Sequence, residues 1–167
     1  MNHSNHSGRV VWRAFQPNDA APLAALFRDA VRIGASADYD EAARAAWASA
    51  ADDAAAFGAR LARGVTLVAM RGDACAAFGQ LYPDDHIEML YTAPAFAREG
   101  LAAALLAKLE AHARLALALT ADVSATARRA FERAGFAAIA GERVTRDGVS
   151  LRRFRMMKPL AAAQRPV

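Results

Sequence analysis

One cysteine stands among the 167 residues, so no internal disulfide can form and a cysteine-built zinc site is excluded. No stretch of ~20 uncharged apolar residues occurs. The richest run, Leu101 to Ala121, is interrupted by Lys108, Glu110, His112 and Arg114, which argues against a transmembrane helix and a membrane role. The first residues, Met1 to Gly8, lack the apolar core of a secretory signal. With a lone thiol and no export segment, the expected location is the cytoplasm. No linker and no repeat interrupts the middle of the chain. Neither sign of charge dominates strongly: 21 Lys+Arg face 17 Asp+Glu, a formal net charge of +4. Such an excess would suit an anionic partner, but no helix-turn-helix or ribonucleoprotein motif accompanies it. Scattered surface charge is the plainer reading, and no nucleic acid partner is expected.

What is present is enough apolar material for a core. Hydrophobic residues make up 55% and charged residues 23%, so a largely disordered chain is excluded. The length fits one domain of the usual ~100–150 residues. Only the ends look loose, which places a single domain at residues 10–160 between flexible tails at 1–9 and 161–167.

Alanine is abundant and raises helix propensity throughout. Val10 to Phe15 alternates as a strand does. Asn18 or Asp19 then caps a helix to about Arg32, with Leu23, Leu26, Phe27 and Val31 at helical spacing. A second helical region runs from Glu41 to about Arg63, broken near Ala51-Asp52, where Asp52 is the expected cap. Val65 to Met70 and Ala74 to Tyr82 read as a hairpin around Arg71-Gly72-Asp73. His86 to Thr92 is a third strand, with Ile87, Met89 and Tyr91 on one side and Glu88 and Leu90 on the other. Gly100 to Arg114 is a strong helix, and Leu117 to Asp122 a short strand. Ser124 caps a helix to Ala134, ended by Gly135. Strands at Ala138 to Val144 and Val149 to Lys158 join at Asp147-Gly148. Strand–helix–strand units mixed with hairpins predict an α/β domain with a mixed sheet.

The segment from Glu88 to Leu106 carries the chemistry. It is a strand, a short loop holding Pro94, then a small-residue start to a helix. The first four N–H groups of a helix have no internal acceptor, and the macrodipole adds positive potential there, so the site suits an anion. Gly100, Ala102 and Ala103 let a phosphate approach the backbone, and Arg98 adds a cation at the mouth. The Gly-Lys-Ser/Thr ending of a Walker loop is missing, as are the three glycines of a dinucleotide fold. Taken alone, the fragment is also what a tightly packed alanine-rich helix looks like.

The wider arrangement resembles the GNAT superfamily of acetyl-coenzyme A-dependent acetyltransferases. The family's Gln/Arg-x-x-Gly-x-Gly/Ala signature aligns with Ala97-Arg98-Glu99-Gly100-Leu101-Ala102. Leu90-Tyr91-Thr92-Ala93-Pro94 matches the preceding strand end. Ser124-Ala-Thr-Ala127, followed by Phe131 and Gly135-Phe136, matches a later motif, and Arg153 to Lys158 a typical last strand. The likeness covers roughly Val10 to Leu160, closest to small single-domain bacterial members. It departs from the pattern where Ala97 replaces Gln or Arg, Ser124 replaces Asn, and Phe131 replaces the Tyr that commonly protonates the leaving thiolate.

The resemblance implies a GNAT-like mixed, mostly antiparallel sheet of about six to seven strands, flanked by helices, with splayed central strands. It implies acetyl-coenzyme A as co-substrate, without a metal, and direct attack by an acceptor amine in a ternary complex. The backbone of Leu90, Tyr91 and Thr92 would bond the pantetheine arm, with Ser124 and Phe131 beside it. The amides of Arg98, Glu99, Gly100, Leu101, Ala102 and Ala103 would hold the diphosphate. Glu88 is the candidate general base, Leu90 the backbone oxyanion donor, and Tyr91 a further catalytic candidate. A structural ion pair is the alternative for Glu88. Phe27, Tyr39, Trp47 and Tyr82 are candidates for the acceptor pocket, although Phe27 and Trp47 also fit a plain core.

Other candidates are weaker. Cys75 reads as a buried structural thiol, since no His follows it at a recognisable spacing. His3, His6, His86 and His112 are isolated and suggest no metal site. The leading expectation is therefore an N-acetyltransferase acting on a small amine, as a monomer or homodimer. The alternatives are a non-catalytic acyl-coenzyme A-binding or regulatory module, and a protein or peptide N-acetyltransferase.

Overall fold

The computed structural model describes residues 8–161. The expected tails lie almost wholly outside the described residues. Twelve main elements follow in order: β1 (Val10–Ala14), α1 (Ala20–Asp29), α2 (Glu41–Ala48), α3 (Ala54–Leu61), β2 (Val65–Arg71), β3 (Ala74–Leu81), β4 (His86–Thr92), α4 (Leu101–Glu110), β5 (Ala118–Ser124), α5 (Arg128–Arg133), β6 (Ala137–Arg146) and β7 (Val149–Pro159). The strands form one seven-stranded sheet in the order β1-β2-β3-β4-β5-β7-β6. Every neighbouring pair is antiparallel except β4 with β5, which is parallel. The fold is thus the mixed α/β sheet that the alternation of hairpins and crossovers predicts.

Helices cover both faces, because alternate strand residues point to opposite sides. On one face Val68, Phe78 and Met89 pack under Leu23, Phe27, Phe57 and Leu61 of α1 and α3. On the other, Leu106 and Leu109 of α4 and Phe131 of α5 pack over Ile87, Ala121, Val123 and Met156. Gln80 of β3 is only 1% exposed, yet its amide donates to Arg60 O at 2.7 Å and Arg63 O at 2.6 Å. The buried amide satisfies carbonyls that the end of α3 leaves open, and so seats that helix on the sheet.

Local signals explain most of the boundaries. Asp40 accepts from Ala43 N–H at 2.8 Å and starts α2. For α3 the cap is Asp53, accepting from Ala56 N–H at 3.0 Å, rather than the expected Asp52. Only the second aspartate has the extended backbone that aims its carboxylate back over the first turn. The first helix ends earlier than its periodicity suggests and runs on as a π turn over Ala30–Gly34. Ser124 closes β5 and accepts from Ala127 N–H at 3.1 Å, so the last helix begins three residues later than expected.

Arg13 of β1 makes a two-pronged ion pair with Asp19, at 2.7 and 2.8 Å. Asp19 also accepts from Gln16 N–H at 2.8 Å. The Arg13 hydrogen bonds hold this carboxyl below its usual range against the opposing effect of burial. A carboxylate lowered in the folded state stabilises above its unfolded pKa, and that stabilisation is lost as pH falls through the folded value. Asp19→Asn is expected to cost on the order of 2 kcal/mol at pH 7. The gap from wild type should narrow below about pH 4, in denaturant titrations at the two pH values. An equal gap at both would remove the pair from the stability account.

Candidate active site

The site is made by an irregularity in β4. Gln80 pairs with Met89 and Leu81 with Ile87, so Glu88 is an extra residue with no partner on β3. A bulge of this kind changes which side chains share a face. Ile87 and Leu90 pack toward α4, while Met89 and Tyr91 pack toward α1 and α3. Glu88 opens into a cavity on the Met89 and Tyr91 side. Simple alternation, which grouped Ile87 with Met89 and Glu88 with Leu90, is corrected by this one residue.

The second irregularity is the seam between β4 and β5. They pair only at His86–Thr120 and Ile87–Ala121, and beyond that point the strands part. Ala93 N–H bonds Ala76 O at 2.8 Å, which fixes the ladder's parity. Ala93 and Tyr91 therefore turn their backbone groups to β3, and Leu90 and Thr92 turn theirs into the gap. The central strands are splayed, and the exposed edge of β4 offers an extended chain a place to pair.

At the far end of β4 the chain turns through Pro94–Phe96 and enters α4. Arg98 has φ of +65° and Gly100 of +80°, both left-handed. At Gly100 the absent Cβ removes the steric penalty such a conformation carries. No side chain caps the first turn of α4. Leu101 is buried with Phe96 and Leu105 and contributes only main chain, whereas Ala102 is half-buried and Ala103 exposed. Glu99 is drawn to Arg71 of β2 at 2.5 Å, which anchors the loop and neutralises a carboxylate at its mouth. The result is a helix N-terminus with free amides, small side chains and an exposed Arg98.

The cavity beside the gap is about 150 Å³ and is walled by α1, α2, α3, β4, β5 and the β6–β7 hairpin. Glu88 stands 3.7 Å from His86 Nε2 and 3.9 Å from Arg60. His86 Nδ1 is fixed by Thr120 Oγ1 at 2.8 Å. Phe27 lies beneath, with its ring 4.6 Å from that of Tyr91. Tyr91 is pushed up to about 12 by burial, against a hydrogen bond from the Trp47 indole, so it keeps its proton near neutrality. Tyr39 spans the wall: its hydroxyl donates to Arg152 O at 2.5 Å and accepts from Ala125 N–H at 2.9 Å. Burial raises this phenol too.

Of the residues singled out in the sequence, Phe27, Tyr39, Trp47, Glu88, Tyr91 and Ser124 all line the cavity. Two lie elsewhere. Tyr82 sits in the β3–β4 turn under the Arg63 guanidinium, 4.8 Å from the ring centre, and is no part of the cavity lining. Phe131, expected beside the pantetheine arm, is buried against Phe136, ring centres 5.1 Å apart. Cys75 lies 3.7 Å from Met70 sulfur, and burial raises its thiol. His86 escaped the sequence reading, although His86-x-Glu88 on a strand places two side chains on one face. Arg60, Asp122 and Arg146 also escaped it, since they come from distant elements.

The chain matches the family described as "Acetyltransferase (GNAT) domain" over residues 35–158. It is 33% identical over 144 residues to the uncharacterized N-acetyltransferase YafP of Escherichia coli K12, covering 86% of this chain and 92% of that one. A solved GCN5-related N-acetyltransferase from Rhodopseudomonas palustris superposes with a TM-score of 0.88 at 37% identity, over 95% of this chain and all (100%) of that one. The PaiA N-acetyltransferase of Thermoplasma acidophilum, solved with coenzyme A, shares the fold at a TM-score of 0.72 and 16% identity, over 91% of this chain and 99% of that one.

Proposed function

The chain belongs to the GNAT acetyltransferase family, and from that premise we propose that it transfers the acetyl group of acetyl-coenzyme A to the amine of a small molecule, by direct attack in a ternary complex. The observation that carries this reading is the parting of β4 from β5 beside an uncapped helix N-terminus, with Glu88 in the adjoining cavity. These residues fit the co-substrate. Free α4 amides at Leu101 to Ala103 suit a diphosphate, and the Leu90 and Thr92 edge suits an amide-bearing arm.

When bound, acetyl-coenzyme A supplies an activated carbonyl and a thiolate leaving group. The chain's part is to position and to move protons. Alkyl amines are largely protonated at pH 7, near the lysine value of ~10.4, and must lose a proton before attack. Glu88, bulged into the cavity, is the group placed to accept it, directly or through water. Leu90 N–H, turned into the gap, is placed to bond the oxygen that becomes negative. Tyr91 and Ser124 are hydroxyl donors at the same wall. The Phe131 ring has no proton to give.

A cavity of about 150 Å³ holds on the order of five water-sized groups, which suits a small acceptor better than a peptide. Acetyl-coenzyme A is expected to raise the Tm in proportion to the logarithm of its concentration. Thiol release should then appear with some member of an amine panel. No thermal shift would refute the enzymatic reading, and a shift without turnover on small amines or peptides would mark a binding module.

A further inference from the structure

The cavity wall carries an excess of cationic side chains. Arg60, Arg146, Arg152 and Arg153 line it from α3, β6 and β7, against the carboxylates of Glu88 and Asp122, and the Arg152 guanidinium lies over the Phe154 ring, 4.9 Å from its centre. Most of this charge is already matched. Arg153 pairs with Glu142 at 2.6 Å and with Asp122 at 3.7 Å, and Arg155 reaches Asp122 at 3.3 Å. Arg60 lies 3.9 Å from Glu88. Arg146 has no carboxylate partner among the described residues.

Its placement is built into the hairpin. Glu142 pairs across from Arg153, Val144 from Leu151 and Arg146 from Val149, so period-two alternation puts Glu142, Val144 and Arg146 on the cavity face. The hairpin tip is held down, since Ser49 Oγ at the end of α2 donates to Asp147 at 2.9 Å. Arg146, Arg60 and Glu88 line the one cavity that Tyr91 also borders. Arg146 is also not poised for the diphosphate, because α4 lies on the opposite face of the sheet from Met89 and Tyr91. The cavity thus holds a proton acceptor, Glu88 with His86 Nε2 at 3.7 Å, and on a different element of the same wall the guanidinium of Arg146.

We propose that the acceptor is a small amine that also carries an anionic group, a carboxylate or a phosphonate, held by Arg146 while Glu88 and His86 receive the amine. This rests on the acetyltransferase reading above. A guanidinium without a partner at a cavity wall matches the flat, two-oxygen face of either anion.

The test compares matched acceptors at saturating acetyl-coenzyme A: amino acids, their carboxamides, aminoalkylphosphonates, and the corresponding plain alkylamines. The anionic amines should exceed the neutral ones by about tenfold or more in kcat/KM, through KM, and carboxylate and phosphonate arms tell the two anions apart. Arg146→Gln should remove that preference while the acetyl-coenzyme A thermal shift persists, and Arg146→Lys should keep part of it. Titration calorimetry of the coenzyme A-loaded protein with the same compounds reads affinity where turnover is slow. Neutral amines used equally well, a preference that survives Arg146→Gln, or no heat with any anionic amine overturns the proposal. Turnover of neutral amines would leave the acetyltransferase reading standing, whereas loss of the acetyl-coenzyme A shift in the wild type would remove both.

Discussion

Glu88→Gln is expected to lower kcat by about a hundredfold or more, the range of a lost general base, with acetyl-coenzyme A binding kept. The change preserves size and removes the proton acceptor. Glu88 contributes little else: its neighbours His86 and Arg60 are 3.7 and 3.9 Å away, and its side chain is partly exposed. The elements assigned to the co-substrate, the Leu90 and Thr92 edge and the α4 amides, do not involve its carboxylate. Initial rates over a pH series, with calorimetry for acetyl-coenzyme A, separate the two effects. An unchanged kcat would assign Glu88 to a structural role and leave the proton to His86 or water.

Ala103→Glu should have the larger effect on binding. Ala103 is exposed in the first turn of α4, where a carboxylate is favourable to the helix by about 0.3–1 kcal/mol through the macrodipole. The same carboxylate would stand where the diphosphate is proposed to lie and would compete for the free amides. The expected result is therefore an equal or slightly higher Tm without ligand, and an acetyl-coenzyme A Kd raised by roughly a hundredfold or more. Opposite signs on stability and affinity distinguish a blocked site from a damaged fold. Affinity retained in a well-folded variant would move the diphosphate elsewhere.

Much of this architecture was legible in the residues. Helix spacing at Leu23, Leu26, Phe27 and Val31 and the Asp147-Gly148 turn reflect local chemistry, which needs no distant partner to be read. The strand-to-helix corner at Gly100 is equally local, because left-handed backbone followed by small residues is a property of adjacent positions. Three things were hidden. The bulge at Glu88 depends on how Gln80 and Leu81 of β3 meet β4, and alternation within β4 alone cannot reveal it. The burial of Phe131 depends on Phe136 and the sheet beneath it, which spacing within the helix does not show. The basic wall joins Arg60, Arg146 and Arg153, residues far apart in the chain that meet only once α3 and the last hairpin close over one face.

The surplus residue in β4 bears on how such a chain can diverge. Amino-acid replacements between the bulge and Thr92 leave the parity of the strand intact, so they adjust the reaction chamber without redirecting it. Losing or gaining one codon there would swap the two surfaces, sending Tyr91 toward α4 and Leu90 into the chamber. Drift in this stretch is thus tolerant of spelling and intolerant of length.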